Sequence, residues 1–267
     1  MDVIQFSEYF GDENDDVAFQ YTQVIFQHDN QIYHGLSKKR YGSKLDINDH
    51  DLYDTTRIPV EELKPKFENT FTKACDYSEP VQWYIKRQCL SHYDPQHPDR
   101  LKYQTLQEVK MCEILRANPH PNIAVYHGCE VMDGQIRGLC FTKYSQTLME
   151  KVNGAKYNKQ SFALKTVGNI PAEANQWLDD IGCGIRHLHS LGLIHNDINP
   201  SNIMFDGDHP VIIDFGSCTP DGHNLNEIGR TYEWHDGKIM EAKRSNDLDA
   251  LEEIRLWLKG DVDSFKH

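Results

Sequence analysis

The sequence predicts an α+β fold, and three features carry that prediction. Residues 203–205 and 211–213 are short apolar runs on either side of Gly207 and Asp208, the pattern of a β-hairpin. Residues 103–117 and 171–192 repeat apolar side chains at three- and four-residue intervals, the period of an amphipathic helix. Apolar strand-length runs at 81–85, 123–126 and 138–141 lie between them, the last two joined across the turn dipeptide Asp133-Gly134. A chain of 267 residues suffices for one large domain or two modest lobes. Its 39% hydrophobic and 10% aromatic content suits a packed core rather than a disordered chain.

In chain order, residues 1–58 carry an excess of acid, as in 12–16 and 48–51, and such runs usually mark solvated surface. Between them, residues 23–27 and 31–33 flank His28-Asp29-Asn30 and read as a short hairpin. The strand at 81–85 ends in Lys86. In the helix at 103–117, Val109, Met111, Cys112 and Leu115 share an apolar face, with Glu108 on its flank and Glu113 as a second carboxylate. From Pro171 a helix presents Trp177, Ile181, Ile185 and Leu188, and Gly192 marks its end. His187 and His189 do not share a helical face, so no metal site is expected there. A last helix at 245–259 places Leu248, Leu251, Ile254 and Leu258 together, with Asp247 in its first turn as a possible cap.

The chemistry concentrates in residues 194–218. His195, Asp197 and Asn202 stand in the order H-x-D-x-x-x-x-N, and the apolar run Val211-Ile212-Ile213 delivers Asp214-Phe215-Gly216. Phosphoryl transfer needs one carboxylate beside the attacking hydroxyl and separate oxygen ligands for the metal on the phosphates. Asp197 suits the first role, and Asn202 with Asp214 the second, since Mg2+ prefers hard oxygen donors.

These motifs together resemble a eukaryotic-type protein kinase domain. The resemblance covers about residues 80–259, two thirds of the chain. It implies a bilobal kinase-like fold: an acidic extension at 1–58, a small antiparallel β lobe at 59–145 and a shortened, mainly helical large lobe at 146–267. It further implies ATP and Mg2+ as cofactors, a protein substrate and transfer to a Ser or Thr hydroxyl. Lys86 matches the strand lysine that grips the phosphates, and Glu108 the helix glutamate that pairs with it. His120-Pro121-Asn122-Ile123 resembles the family's turn after that helix. Thr142, Lys143 and Tyr144 fall at the hinge that presents backbone groups to adenine, and Asp247 matches the aspartate that ties down the catalytic loop.

The pattern is broken in places that bear on chemistry. Residues 64–78 hold no glycine where a glycine-rich phosphate loop is expected. Asn199 stands in place of the lysine that neutralises the γ-phosphate, and Asn196 in place of the usual arginine before Asp197. No clear A-P-E motif follows the short loop at 229–234. A pseudokinase that binds nucleotide or a partner is therefore an alternative. The H-N-D form also resembles choline and aminoglycoside kinases, which makes a small-molecule kinase the third reading.

Net charge of −13 argues against sequence-independent nucleic-acid binding. The first residues lack the pattern of a signal peptide, and no apolar run is long enough to span a bilayer. Seven scattered cysteines without a C-x-x-C pair are expected to be buried thiols in a reducing, cytoplasmic setting. Cys218 is either a core residue or a thiol near the nucleotide site.

Overall fold

Alternation along one long strand explains the N-terminal architecture. In a computed structural model, which describes residues 1–13, 16–74, 83–154, 157–166 and 171–266, strands β1 (Asp2–Glu13), β2 (Asp16–His28), β3 (Gln31–Ser37) and β4 (Tyr53–Ile58) form an antiparallel sheet in sequential order. Successive side chains of a strand point to opposite faces. Ile25 accordingly joins a core with Ile58, Leu63, Tyr93 and Leu101. Its neighbours Val24 and Phe26 join another with Ile47, against which Phe6, Tyr33 and Leu52 pack. The hairpin expected around His28-Asp29-Asn30 is present, with Asp29 and Asn30 at φ 46° and 59° and His28 paired to Gln31. It is part of a larger sheet than the local pattern indicated.

The chain divides into two compact units. Met1–Phe67, Arg87–Leu106 and Val131–Gly138 make one, while Glu68–Lys86, Gln107–Glu130 and Leu139–His267 make the other. Strand β5 (Trp83–Lys86) pairs antiparallel with a later strand and delivers Lys86 opposite Leu139. Val81 and Gln82, the expected start of this strand, lie outside the described residues, as do Cys75 and residues 76–78 of the glycine-free stretch. Helix α1 (Arg100–Ala117) contains no glycine or proline and ends where Pro119 forbids continuation. It begins three residues earlier than the apolar period indicates. Strands β6 (Tyr126–Met132) and β7 (Gln135–Thr142) turn at Asp133-Gly134, and the sheet order is β5-β7-β6.

The strand expected at 123–126 starts only at Tyr126. Residues 122–124 are drawn to a different partner: Asn122 Nδ2 donates to Pro210 O at 2.9 Å, and Ile123 bridges Ile212.

Helix α2 (Leu148–Asn153) opens with a Thr147/Glu150 capping box and closes on Gly154. After α3 (Lys159–Thr166) comes α4 (Ala174–Ser190), which starts three residues beyond Pro171 and buries Trp177, Ile181, Ile185 and Leu188 as expected. Short strand β8 (Leu193–Ile194) leads to the hairpin β9 (Ile203–Asp206) and β10 (His209–Ile212). Strand β11 (Thr219–Pro220) pairs back on β8. Helix α4 packs on β10 and on the last helix, α5 (Arg244–Lys259), which Gly260 terminates at φ 74°.

The buried face of α5 differs from the expected one. Leu248 is 48% exposed, while Asp247, Ala250, Glu253, Ile254, Trp257 and Leu258 are buried. Two buried carboxylates with fixed partners set the helix rotation, and an apolar period cannot register them.

Gly128 allows a close backbone approach. Residues 72–74 run along β6 there, with Cys129 N donating to Thr72 O at 2.7 Å and Ala74 N to Cys129 O at 2.9 Å. Gly128 has φ +125°, and a Cβ on it would lie 2.7 Å from Ala74 N. Gly134, at φ +73°, would meet nothing. Gly128→Ala is expected to lose about 3 kcal/mol or more in urea unfolding, combining strain and overlap. Gly134→Ala should lose only about 1 kcal/mol; equal losses would contradict this packing.

Candidate active site

Helix α4 ends at Ser190, Gly192 turns the chain at φ 74°, and β8 then carries it into a loop held from below by one buried carboxylate. Asp247 is fully buried; its Oδ2 accepts from His195 N at 2.9 Å and its Oδ1 from Asn196 N at 2.8 Å. His189 Nε2 pairs with Oδ2 at 2.9 Å. The N-cap of α5 is Lys243, so Asp247 is not a cap; it organises the loop's backbone. His195 is itself buried, paired through Nε2 with Ile213 O at 3.0 Å.

Asn196 has φ 63°, a left-handed conformation that asparagine tolerates better than most residues. Its Nδ2 donates to Ile194 O, Ser217 O and Thr219 Oγ1, each at 3.0 Å. Where an arginine was expected, a neutral side chain thus ties β8 to β11.

Asp197 is only partly buried, and both of its carboxylate oxygens are engaged. Oδ1 accepts from Thr231 N at 2.7 Å; Oδ2 accepts from Thr231 Oγ1 at 3.1 Å and Asn202 Nδ2 at 2.9 Å. Asn202 Nδ2 also donates to Asp197 O at 2.9 Å, so its amide oxygen is the atom left for another ligand. Asn199 is buried, with Nδ2 donating at 3.1 Å to both Asp197 O and Thr231 Oγ1. Thr231 was not singled out from the sequence. It lies 34 residues beyond Asp197, and no local pattern reports a contact over that separation.

Ile213 N donates to Asn202 O at 3.0 Å, which ties the end of β10 to the loop at 195–202. Asp214 follows at φ 62° and Phe215 is fully buried. Lys86 Nζ lies 2.6 Å from Glu108 Oε1 and 2.8 Å from Asp214 Oδ1. Of the two candidate glutamates, Glu108 is therefore the partner of Lys86. Glu113 instead accepts from Thr72 N at 2.7 Å and Thr72 Oγ1 at 2.8 Å.

Burial disfavours the Lys86 ammonium, but the Glu108 and Asp214 carboxylates outweigh it and hold its pKa above the lysine range. Burial also works against ionised Asp214, and Lys86 outweighs that, leaving this carboxyl below the usual aspartate range. For Glu108 burial is the largest influence and keeps its carboxyl raised against the pull of Lys86.

At the expected hinge, Thr142 ends β7, with its N–H donating to Val125 O at 3.0 Å and its hydroxyl 2.9 Å from His127 Nε2. Lys143 is exposed. Tyr144 is buried, and its hydroxyl accepts from Val125 N at 3.1 Å. Cys218 is 3% exposed and its thiol is pushed far up by burial, so it is a core residue.

The donor set fits Mg2+ in kind: an amide oxygen on Asn202 and a carboxylate on Asp214 are both hard oxygens, and Mg2+ usually keeps several waters and phosphate oxygens for the rest of its shell. Among the described residues no group of three or more His, Cys, Asp or Glu forms a separate metal site.

A family model for the protein kinase domain matches residues 76–246, well over half of the chain. The chain belongs to that family. This kinase domain has the α+β, bilobal kinase-like fold that the motifs led us to expect. Protein kinase MCK1 of Saccharomyces cerevisiae is 26% identical over 190 residues, covering 68% of this chain and 47% of that protein. A probable serine/threonine-protein kinase of Encephalitozoon cuniculi is 38% identical over 63 residues, 23% of this chain and 12% of its own length. Serine/threonine-protein kinase ELM1 of Saccharomyces cerevisiae is 49% identical over 52 residues, 19% of this chain and 8% of its own. The kinase domain thus spans less than half the length of these curated relatives. Among the described residues no helix is long and apolar enough to cross a membrane.

The pH dependence follows from these pairs. Asp214 is depressed, so its ion pair stabilises the fold above the ordinary aspartate pKa of about 3.9 and that contribution is lost as pH falls through the lower folded value. Lys86 is raised, so its contribution is full below about pH 10.4 and is lost only on going more alkaline. Lys86→Met should move the Asp214 carboxyl titration, followed by carbon NMR, to higher pH. An unchanged titration would contradict the pairing.

Proposed function

We propose that this domain transfers the γ-phosphoryl group of ATP, with Mg2+, to a serine or threonine hydroxyl of a protein substrate. The observation that carries the reading is the convergence of Lys86, Glu108 and Asp214 beside a loop that presents Asp197 and Asn202. Lys86, held by Glu108, is the phosphate clamp. Asn202 Oδ1 and Asp214 hold the metal, which supplies charge neutralisation on the phosphates when bound. Asp197 orients the attacking hydroxyl and takes its proton, and its contacts with Thr231 and Asn202 fix the carboxylate plane for that role. Thr142, Lys143 and Tyr144 form the stretch beside adenine. The buried Cys112, Cys129 and Cys218 fit a reducing compartment, so we assign the domain to the cytoplasm.

A second reading, nucleotide binding without transfer, is favoured by Asn199. A neutral, buried amide engaged with Asp197 and Thr231 supplies no positive charge to the γ-phosphate. The missing charge contact corresponds to about 2.7–4 kcal/mol of transition-state stabilisation, a hundredfold or more in rate.

Radiolabel transfer from ATP to a protein acceptor tests the first reading. Asp197→Asn is expected to lower incorporation about 10²–10⁴-fold, and equal incorporation would overturn the catalytic assignment. Calorimetric ATP·Mg affinity measured alongside turnover separates the two: binding without turnover supports the scaffold.

A further inference from the structure

The residues described so far leave one buried ion pair without a role. Lys159, the first residue of α3, lies 2.6 Å from Glu253 of α5, with side chains 3% and 0% exposed. Replacing such a pair by apolar residues often leaves stability unchanged, so its burial is no argument from stability. What the ammonium supplies, and an apolar side chain cannot, is directed contact. Lys159 Nζ donates to Glu233 O at 2.6 Å and sits 4.8 Å from the centre of the Trp234 ring. Trp234 is buried and meets Trp257 edge-on at 5.7 Å.

Glu233 stands at φ 70°, a conformation that a glutamate holds only when its surroundings impose it. Two residues earlier is Thr231, whose N–H and hydroxyl grip Asp197. The turn is closed by Trp234 N donating to Thr231 O at 3.3 Å.

We propose that the Lys159–Glu253 pair is a positioning device that clamps Glu233 and Trp234 and thereby keeps Thr231 docked on Asp197. Lys159 and Glu253 are positioning residues, acting on Asp197 only through the turn. Their catalytic consequence rests on the phosphoryl-transfer reading above; the positioning itself does not.

Amide hydrogen exchange on the full chain tests it. Lys159→Met combined with Glu253→Leu removes both charges and leaves neither buried alone. Exchange at the Thr231 and Trp234 amides should accelerate at least tenfold, while the His195 and Asn196 amides, held by Asp247, keep their protection. Trp234→Leu, which leaves the ion pair intact, should give a smaller acceleration at the same two amides, and it decides the matter where the double variant does not fold. Unchanged protection at Thr231 in a folded variant overturns the proposal. In a transfer assay the double variant should raise KM for the protein acceptor with KM for ATP unchanged; an equal rise in both also overturns it. A wild-type chain that transfers nothing refutes the catalytic reading alone, because the exchange result stands without turnover.

Discussion

An ammonium held between two carboxylates is the constraint on which this structure depends. Lys86 comes from a strand, Glu108 from a helix and Asp214 from the turn after a hairpin, and the ammonium joins all three. Desolvating a lysine is costly unless opposite charge lies within contact distance. The two contacts at 2.6 and 2.8 Å meet that need and fix three elements relative to one another in a single step. Asp214 is further confined by its left-handed backbone and by Gly216 N donating to its Oδ1 at 3.1 Å.

The loop at 195–202 is organised by the same means with different chemistry. Asp247 is a fully buried carboxylate whose oxygens are met by two backbone N–H groups and a histidine. Above it, Asn196 and Asn199 use amide groups where charged side chains were expected, and each fulfils several hydrogen bonds at once. The loop is therefore held by many hydrogen bonds, while its supply of positive charge toward a phosphate is smaller than the family pattern implies.

Local patterns made some of this legible in the sequence. The hairpin at 203–212 and the buried stripe of α4 depend on residues within one or two turns of each other, and both appear where period and turn chemistry put them. The motif residues Asp197, Asn202 and Asp214 could be named for the same reason. What could not be read depends on distant partners. Periodicity put Leu248 inside, whereas the burial of Asp247 and Glu253 turns it outward. The sequence favoured Glu108 over its rival Glu113 by its apolar neighbours alone, and the positions of Lys86 and Thr72 decide between them in that favour. The four-stranded N-terminal sheet joins strands whose acidic flanks resemble plain surface, and Thr231 reaches Asp197 across a gap that carries no periodic signal.

The most direct measurement is a crystal structure with Mg2+ and a non-hydrolysable ATP analogue. The metal is predicted to bind Asn202 Oδ1 and Asp214 at about 2.0–2.1 Å, with Lys86 still paired to Glu108 and its ammonium on the phosphates. Phosphates lying away from Lys86, or a metal held by neither Asn202 nor Asp214, would contradict the account.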